Sequence, residues 1–169
     1  MHSSKTVMDI FMLFRCAGIQ SGTVNGIGIS LEVWFQGCKF ACPGCQNPDL
    51  QNLEGGQLID TNEVLEHLNN YDGFYNSIVF LGGEPVLQPK ALYAIAANCS
   101  ITSILYTGFL YEKLPEDIRD VMDFVIDGTY KQELQTSGFP ATSNQRIWHN
   151  GKIIHKDFRK NYNANTNNF

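Results

Sequence analysis

Residues 77–81, Ser-Ile-Val-Phe-Leu, form an unbroken apolar run that stops at Gly82-Gly83-Glu84-Pro85. A strand that is apolar at consecutive positions has both faces buried, as in a parallel sheet covered by other layers. Parallel neighbours need long crossovers, usually helical, so this one run calls for a βαβ context.

The flanking sequence supplies that context. In residues 29–35, Ile29, Leu31, Val33 and Phe35 alternate with Ser30, Glu32 and Trp34, which predicts a strand. Asp60 with Glu63 reads as a capping-box variant opening a helix whose Val64, Leu65 and Leu68 share a face. Leu92, Ile95, Ala96 and Cys99 keep helical spacing, and residues 101–107 return to strand character. Pro115 suits the first turn of a helix carrying Ile118, Val121 and Met122, and residues 124–127, Phe-Val-Ile-Asp, predict another strand. Residues 145–155 place two short apolar runs around Asn150-Gly151, a hairpin signal because both residues tolerate positive φ.

Strands alternating with helices predict an α/β fold with a parallel sheet and function at the carboxyl ends of its strands. At 169 residues and 43% hydrophobic, the chain can bury one core, expected over residues 1–155. From Lys156 to Phe169 the sequence is polar and Asn-rich, which predicts a flexible tail.

A net charge of -5 argues against a surface built to hold phosphate backbones, so no direct nucleic-acid partner is expected. The apolar segment at 7–14 is interrupted by Asp9 and closed by Arg15, short of the roughly 20 residues a membrane span needs. It also lacks the features of a signal peptide, so a cytoplasmic protein without a membrane partner is expected. Clustered thiols in that setting bind metal or do redox work more often than they form structural disulfides.

Three of the five cysteines, Cys38, Cys42 and Cys45, fall in the loop leaving the 29–35 strand. Three thiolates can hold a 4Fe-4S cluster by three irons and leave the fourth open, and an open coordination position marks catalysis. Two other chemistries share the pattern: a zinc site, whose fourth ligand would be Cys16, His149 or His155, and a dithiol at Cys42-Pro43-Gly44-Cys45. Cys16 and Cys99 sit in apolar contexts and read as buried small hydrophobes, and His67 reads as solvated. The glycines and proline of 82–85 also suit an ordinary strand-to-helix turn, and Asn144-Gln145-Arg146 could simply open an edge strand.

The spacing C-x3-C-x2-C, followed at the end of the next strand by Gly82-Gly83-Glu84-Pro85, resembles the radical S-adenosylmethionine superfamily. Val24-Asn25-Gly26-Ile27-Gly28, Gly37 before Cys38, Asn47, Tyr106-Thr107-Gly108, Asp127-Gly128 and Ser143-Asn144-Gln145-Arg146-Ile147 further resemble the activating enzymes of anaerobic (class III) ribonucleotide reductase. Here Gly44 stands where many superfamily members carry an aromatic, Gln46 follows the last cysteine, and the 24–30 segment lacks that group's proline and arginine.

The resemblance implies a partial parallel (β/α) barrel whose cofactors are a 4Fe-4S cluster on Cys38, Cys42 and Cys45 and S-adenosyl-L-methionine. Cofactor contacts are expected from Gly82, Gly83, Glu84 and Pro85, with Glu84 accepting from the ammonium group. Phe40, Asn47, Thr107, Asp127, Asn144 and Arg146 are the other expected contacts, Phe40 being a candidate for adenine packing. The implied reaction is reductive cleavage to a 5'-deoxyadenosyl radical that converts a glycine on a reductase catalytic subunit to a glycyl radical. A low-potential donor such as flavodoxin or ferredoxin would supply the electron. The alternatives are activation of another glycyl radical enzyme, radical chemistry on a small molecule, and a zinc-stabilised binding module.

Overall fold

The computed structural model describes residues 12–160, so most of the apolar segment at 7–14 and the end of the polar tail lie outside the described residues. The elements are strands β1 (Leu13–Gly22), β2 (Ser30–Phe35) and β3 (Gln57–Asp60), helix α1 (Thr61–Asn70), strand β4 (Ser77–Gly82) and helix α2 (Pro89–Asn98). There follow β5 (Thr102–Thr107), α3 (Glu116–Val121), β6 (Phe124–Asp127), β7 (Arg146–His149) and β8 (Lys152–Ile154).

They build one sheet of order β3-β1-β2-β4-β5-β6-β7-β8. The four central strands β2, β4, β5 and β6 are parallel, and the strands on either side pair antiparallel. The α/β expectation therefore holds, and the sheet is mixed, its parallel centre flanked by antiparallel strands on both sides.

Because β2, β4, β5 and β6 follow one another in space, right-handed crossovers put α1, α2 and α3 on the same face. Val64, Leu92, Ile95 and Ile118 from those helices pack with Leu31, Val33, Phe35, Ile78, Phe80, Leu105 and Val125 from the strands. The intervening residues Val79, Leu81, Ile104, Phe124 and Ile126 face the other way, into a smaller cluster without helical members.

Local signals account for most boundaries. Asp60 accepts from the Asn62 N–H at 3.0 Å and Glu63 accepts from the Asp60 N–H at 3.1 Å, closing the capping box that starts α1. Pro89 opens α2 and Cys99 caps its end, one residue beyond the helix on whose face it was expected. Pro115 stands just before α3, as its N-cap. The β7–β8 hairpin turns at Asn150 and Gly151, with φ of 50° and 72°.

Two strands have no clear signature in the sequence. In β1, Phe14 and Cys16 are buried, but a register shift between Cys16 and Gly18 breaks the alternation, which hides the period of two. β3 has only four residues, none of them fully buried.

The expectation of a free polar tail from Lys156 needs correction at its start. Phe158 is fully buried and stacks on Phe124 at 4.2 Å, and Arg159 pairs with Asp157 at 2.8 Å. One aromatic without a periodic partner is enough to anchor the segment. His67 is likewise half-buried, its Nε2 lying 3.0 Å from the Tyr75 hydroxyl.

Candidate functional site

The loops leaving β2 and β4 are joined by backbone hydrogen bonds. The N–H of Gly83 donates to the Phe35 carbonyl and that of Glu84 to the Gly37 carbonyl, both at 2.8 Å. Glycine is required for this approach: a Cβ on Gly82, where φ is +114°, would lie 2.5 Å from the Phe35 oxygen. A Cβ on Gly83 would lie 2.4 Å from the Gly37 oxygen. The pair thus makes room for the neighbouring strand end and the loop that leaves it.

The cysteine loop is fixed by its own backbone. Gly37 and Cys38 donate to the carbonyls of Leu50 and Gln51, and Cys45 donates to that of Cys42. Gln36 holds the following turn through the carbonyls of Asp49 and Asn52. All five cysteines are free thiols. Burial pushes the Cys38 thiol pKa above its ordinary value, with Glu84, Cys42 and Cys45 adding to the rise, so binding metal there would release a proton held firmly by the free protein.

Glu84 is 1% exposed, and three donors converge on its carboxylate. They are the Val86 N–H at 2.9 Å, the Thr107 hydroxyl at 2.9 Å and the Gly108 N–H at 2.8 Å. The carboxylate therefore straps the β4 loop to the end of β5. Burial raises its pKa to about 7 against those hydrogen bonds. Phe40 closes the third side: it packs on Phe109 at 4.9 Å and lies where a Gly108 side chain would be.

These loops surround a cavity of about 340 Å3 at the carboxyl ends of the parallel strands. Of the expected site residues, Cys38, Cys42, Cys45, Phe40, Asn47, Gly82, Gly83, Glu84 and Thr107 line it. Pro85, Asp127, Asn144 and Arg146 do not. Asp127 is buried and occupied by Arg146 and by the Tyr111 N–H at 2.7 Å, while Arg146 also grips Glu112 with two bonds of 2.8 Å. Those hydrogen bonds from Arg146 lower the Glu112 pKa to about 2. Asn144 donates to the Thr129 carbonyl, behind the wall.

Trp34, Phe139 and Arg159 line the cavity as well, as do Asn25 and Tyr106 from two of the resembling motifs, although none of the five was expected as a site residue. Trp34, Leu81, Tyr106 and Ile126 each lie one residue before the carboxyl end of one of the four parallel strands and face away from the helices. Alternation within each strand was the signal that could have found them. The Tyr106 hydroxyl donates to the Asn25 carbonyl at 2.8 Å, and Arg159 donates to the Val24 carbonyl and lies 3.7 Å from the Phe139 ring centre.

Among the described residues, no group of three His, Cys, Asp or Glu is placed to hold a single metal ion. Cys16, His149 and His155 do not line the cavity. Three thiols around one cavity suit a polynuclear cluster whose ligands bind different irons. Iron–sulfur proteins of the α/β kind are the class that such a site defines.

Comparison with known proteins narrows the class. Residues 24–148 match the family described as a 4Fe-4S single cluster domain. A pyruvate formate-lyase-activating enzyme of Clostridium pasteurianum is 38% identical over 50% of this chain and 38% of its own length. An anaerobic ribonucleoside-triphosphate reductase-activating protein of Enterobacteria phage T4 is 30% identical over 75% of this chain and 88% of its own. The pyruvate formate-lyase 1-activating enzyme of Escherichia coli K12 is 30% identical over 62% of this chain and 47% of its own. The chain belongs to the 4Fe-4S single cluster domain family, among the glycyl radical activases of the radical S-adenosylmethionine superfamily. It spans less than half the length of either pyruvate formate-lyase-activating relative.

Proposed function

We propose that this protein activates an anaerobic ribonucleoside-triphosphate reductase by generating a glycyl radical on it. The observation that carries the reading is the convergence of three thiols and the Gly82–Glu84 turn on one cavity. Cys38, Cys42 and Cys45 would hold three irons of a 4Fe-4S cluster, leaving the fourth for S-adenosylmethionine. With a flavodoxin or ferredoxin as electron donor, the cluster and S-adenosylmethionine held there would supply the reductive radical chemistry that removes a hydrogen atom from the partner's glycine.

The chain's own residues position and shield. Gly83 and Glu84 fix the spacing between the cluster loop and the β4 loop, and Glu84, Thr107 and Gly108 lock that loop to β5. Phe40, Asn47, Gly82, Gly83, Glu84 and Thr107 form the cofactor's surroundings, and Pro85 stiffens the exit. Asp127, Asn144 and Arg146 act from behind, holding the wall at Gly128–Thr129. Trp34, Tyr106 and Phe139 exclude water. The four parallel strands with all helices on one face are read as the parallel part of a partial barrel, and the protein as cytoplasmic.

The phage T4 relative favours the reductase as partner, because nearly its whole length is matched. The higher identity to the Clostridium enzyme favours a second reading, activation of pyruvate formate-lyase. Incubating the reconstituted protein with each partner and recording electron paramagnetic resonance separates them. A glycyl doublet on the reductase alone is expected, and a doublet on pyruvate formate-lyase alone would transfer the assignment.

A further inference from the structure

The edge strand β3 covers only part of β1. It pairs with Leu13 to Cys16, whereas β2 pairs with β1 as far as Gly22. From Ala17 to Gly22, no strand among the described residues pairs with the edge that faces away from β2. The run Ala-Gly-Ile-Gln-Ser-Gly carries none of the charges or prolines that usually blunt such an edge. Ala17, Gly18, Gln20 and Ser21 are exposed.

This edge adjoins the site. Ala17, Gly18 and Gln20 wall a shallow groove of about 440 Å3 together with Trp34, Gln46 and Asn47, and those last three also wall the cavity. At Gly18 the floor is open, with no atom within 4 Å of where a Cβ would stand. The side chains of Gln20, Gln46 and Asn47 are neutral amides, which match the donors and acceptors of a peptide backbone.

We propose that the glycine-bearing segment of the partner protein docks as an added strand along Ala17–Gly22 and passes over Gly18 and Trp34 into the cavity. This rests on the reading that the substrate is a glycine within a polypeptide: an extended segment must lie across the cavity mouth, and a strand edge continuous with that mouth binds main chain whatever its side chains.

Hydrogen–deuterium exchange on the anaerobically reconstituted protein with S-adenosylmethionine, alone and with the anaerobic ribonucleoside-triphosphate reductase of phage T4, tests it. Amides of Ala17–Gly22 that face away from β2 are expected to exchange about tenfold more slowly when the reductase is present. Protection confined to other surfaces, or none, overturns the proposal. Protection already present without the reductase also overturns it: dependence on protein concentration would assign the edge to a second copy, and loss on deleting residues 161–169 would assign it to the chain's own end. Release of 5'-deoxyadenosine by a partner-free sample given dithionite as the electron source judges the activase reading separately, so the two can fail independently.

Discussion

The two faces of the central sheet are built from the same strands and serve opposite ends. Toward the helices, Val33, Phe35, Ile78, Phe80, Leu105 and Val125 meet an apolar layer supplied by Val64, Leu92, Ile95 and Ile118. On the other face the buried set includes Glu32, which accepts from Gln20, Asn25 and Trp34, and near the strand ends the carboxylate of Glu84, with no cation among the described residues hydrogen-bonded to either. Burying charge without a cation costs stability, so the inner face gives some of it up for a shaped polar cavity that the helix side maintains.

The largest effect should come from the helix side. Phe80→Ala removes a fully buried ring and should cost about 3–5 kcal/mol in urea unfolding. Leu81→Ala, one residue along and facing the cavity, should cost nearer 2 kcal/mol because one side of it already meets open space. Equal losses would break the comparison.

Phe158→Ala comes next, at about 3 kcal/mol, since its ring seals the inner face against Phe124 and Phe139. An unchanged unfolding midpoint would restore the free-tail expectation for Lys156 onward. Thr107→Val keeps the shape and removes the hydroxyl that donates to Glu84, at about 1–2 kcal/mol.

The pH dependence sharpens the contrast further. With its pKa raised from 4.5 to about 7, Glu84 keeps its proton when folded over a range where the unfolded chain has released it. Its contribution is complete below about pH 4.5 and is lost as pH rises through about 7. The metal-free protein should therefore unfold at lower urea at pH 8 than at pH 5.5, and Glu84→Gln should flatten that slope. The smallest stability effect belongs to Cys42→Ala, within about 0.5 kcal/mol for the metal-free protein, with iron uptake lost. Uptake retained by that variant would remove Cys42 from the site.

The parallel core was legible because its strands are apolar runs ended by Gly, Pro or a helix cap, so the strand from Phe124 to Asp127 and the Asn150–Gly151 turn fall where the sequence puts them. The lining cysteines and the Gly82–Glu84 turn were legible for the same reason, being local in sequence and placed at strand ends. β1 escaped because its bulge at Cys16/Gly18 shifts the alternation, and β3 because a four-residue exposed edge leaves little pattern. Arg146 and Asp127 show the limit of motif reasoning: chemistry-bearing residues at strand ends can be spent on each other, 19 positions apart, in a contact no local spacing announces. Arg159 shows the converse, a residue in a polar run brought to the cavity by one buried neighbour, Phe158.

The central claim is that Cys38, Cys42 and Cys45 hold a redox cluster beside an S-adenosylmethionine site. Iron and acid-labile sulfide, measured on anaerobically reconstituted protein with 5'-deoxyadenosine quantified after dithionite and S-adenosylmethionine, test it most directly. About four irons and four sulfides per chain, visible absorption that bleaches on reduction, and released 5'-deoxyadenosine are the predicted result. One zinc and no iron, or a full cluster that leaves S-adenosylmethionine intact, would contradict it.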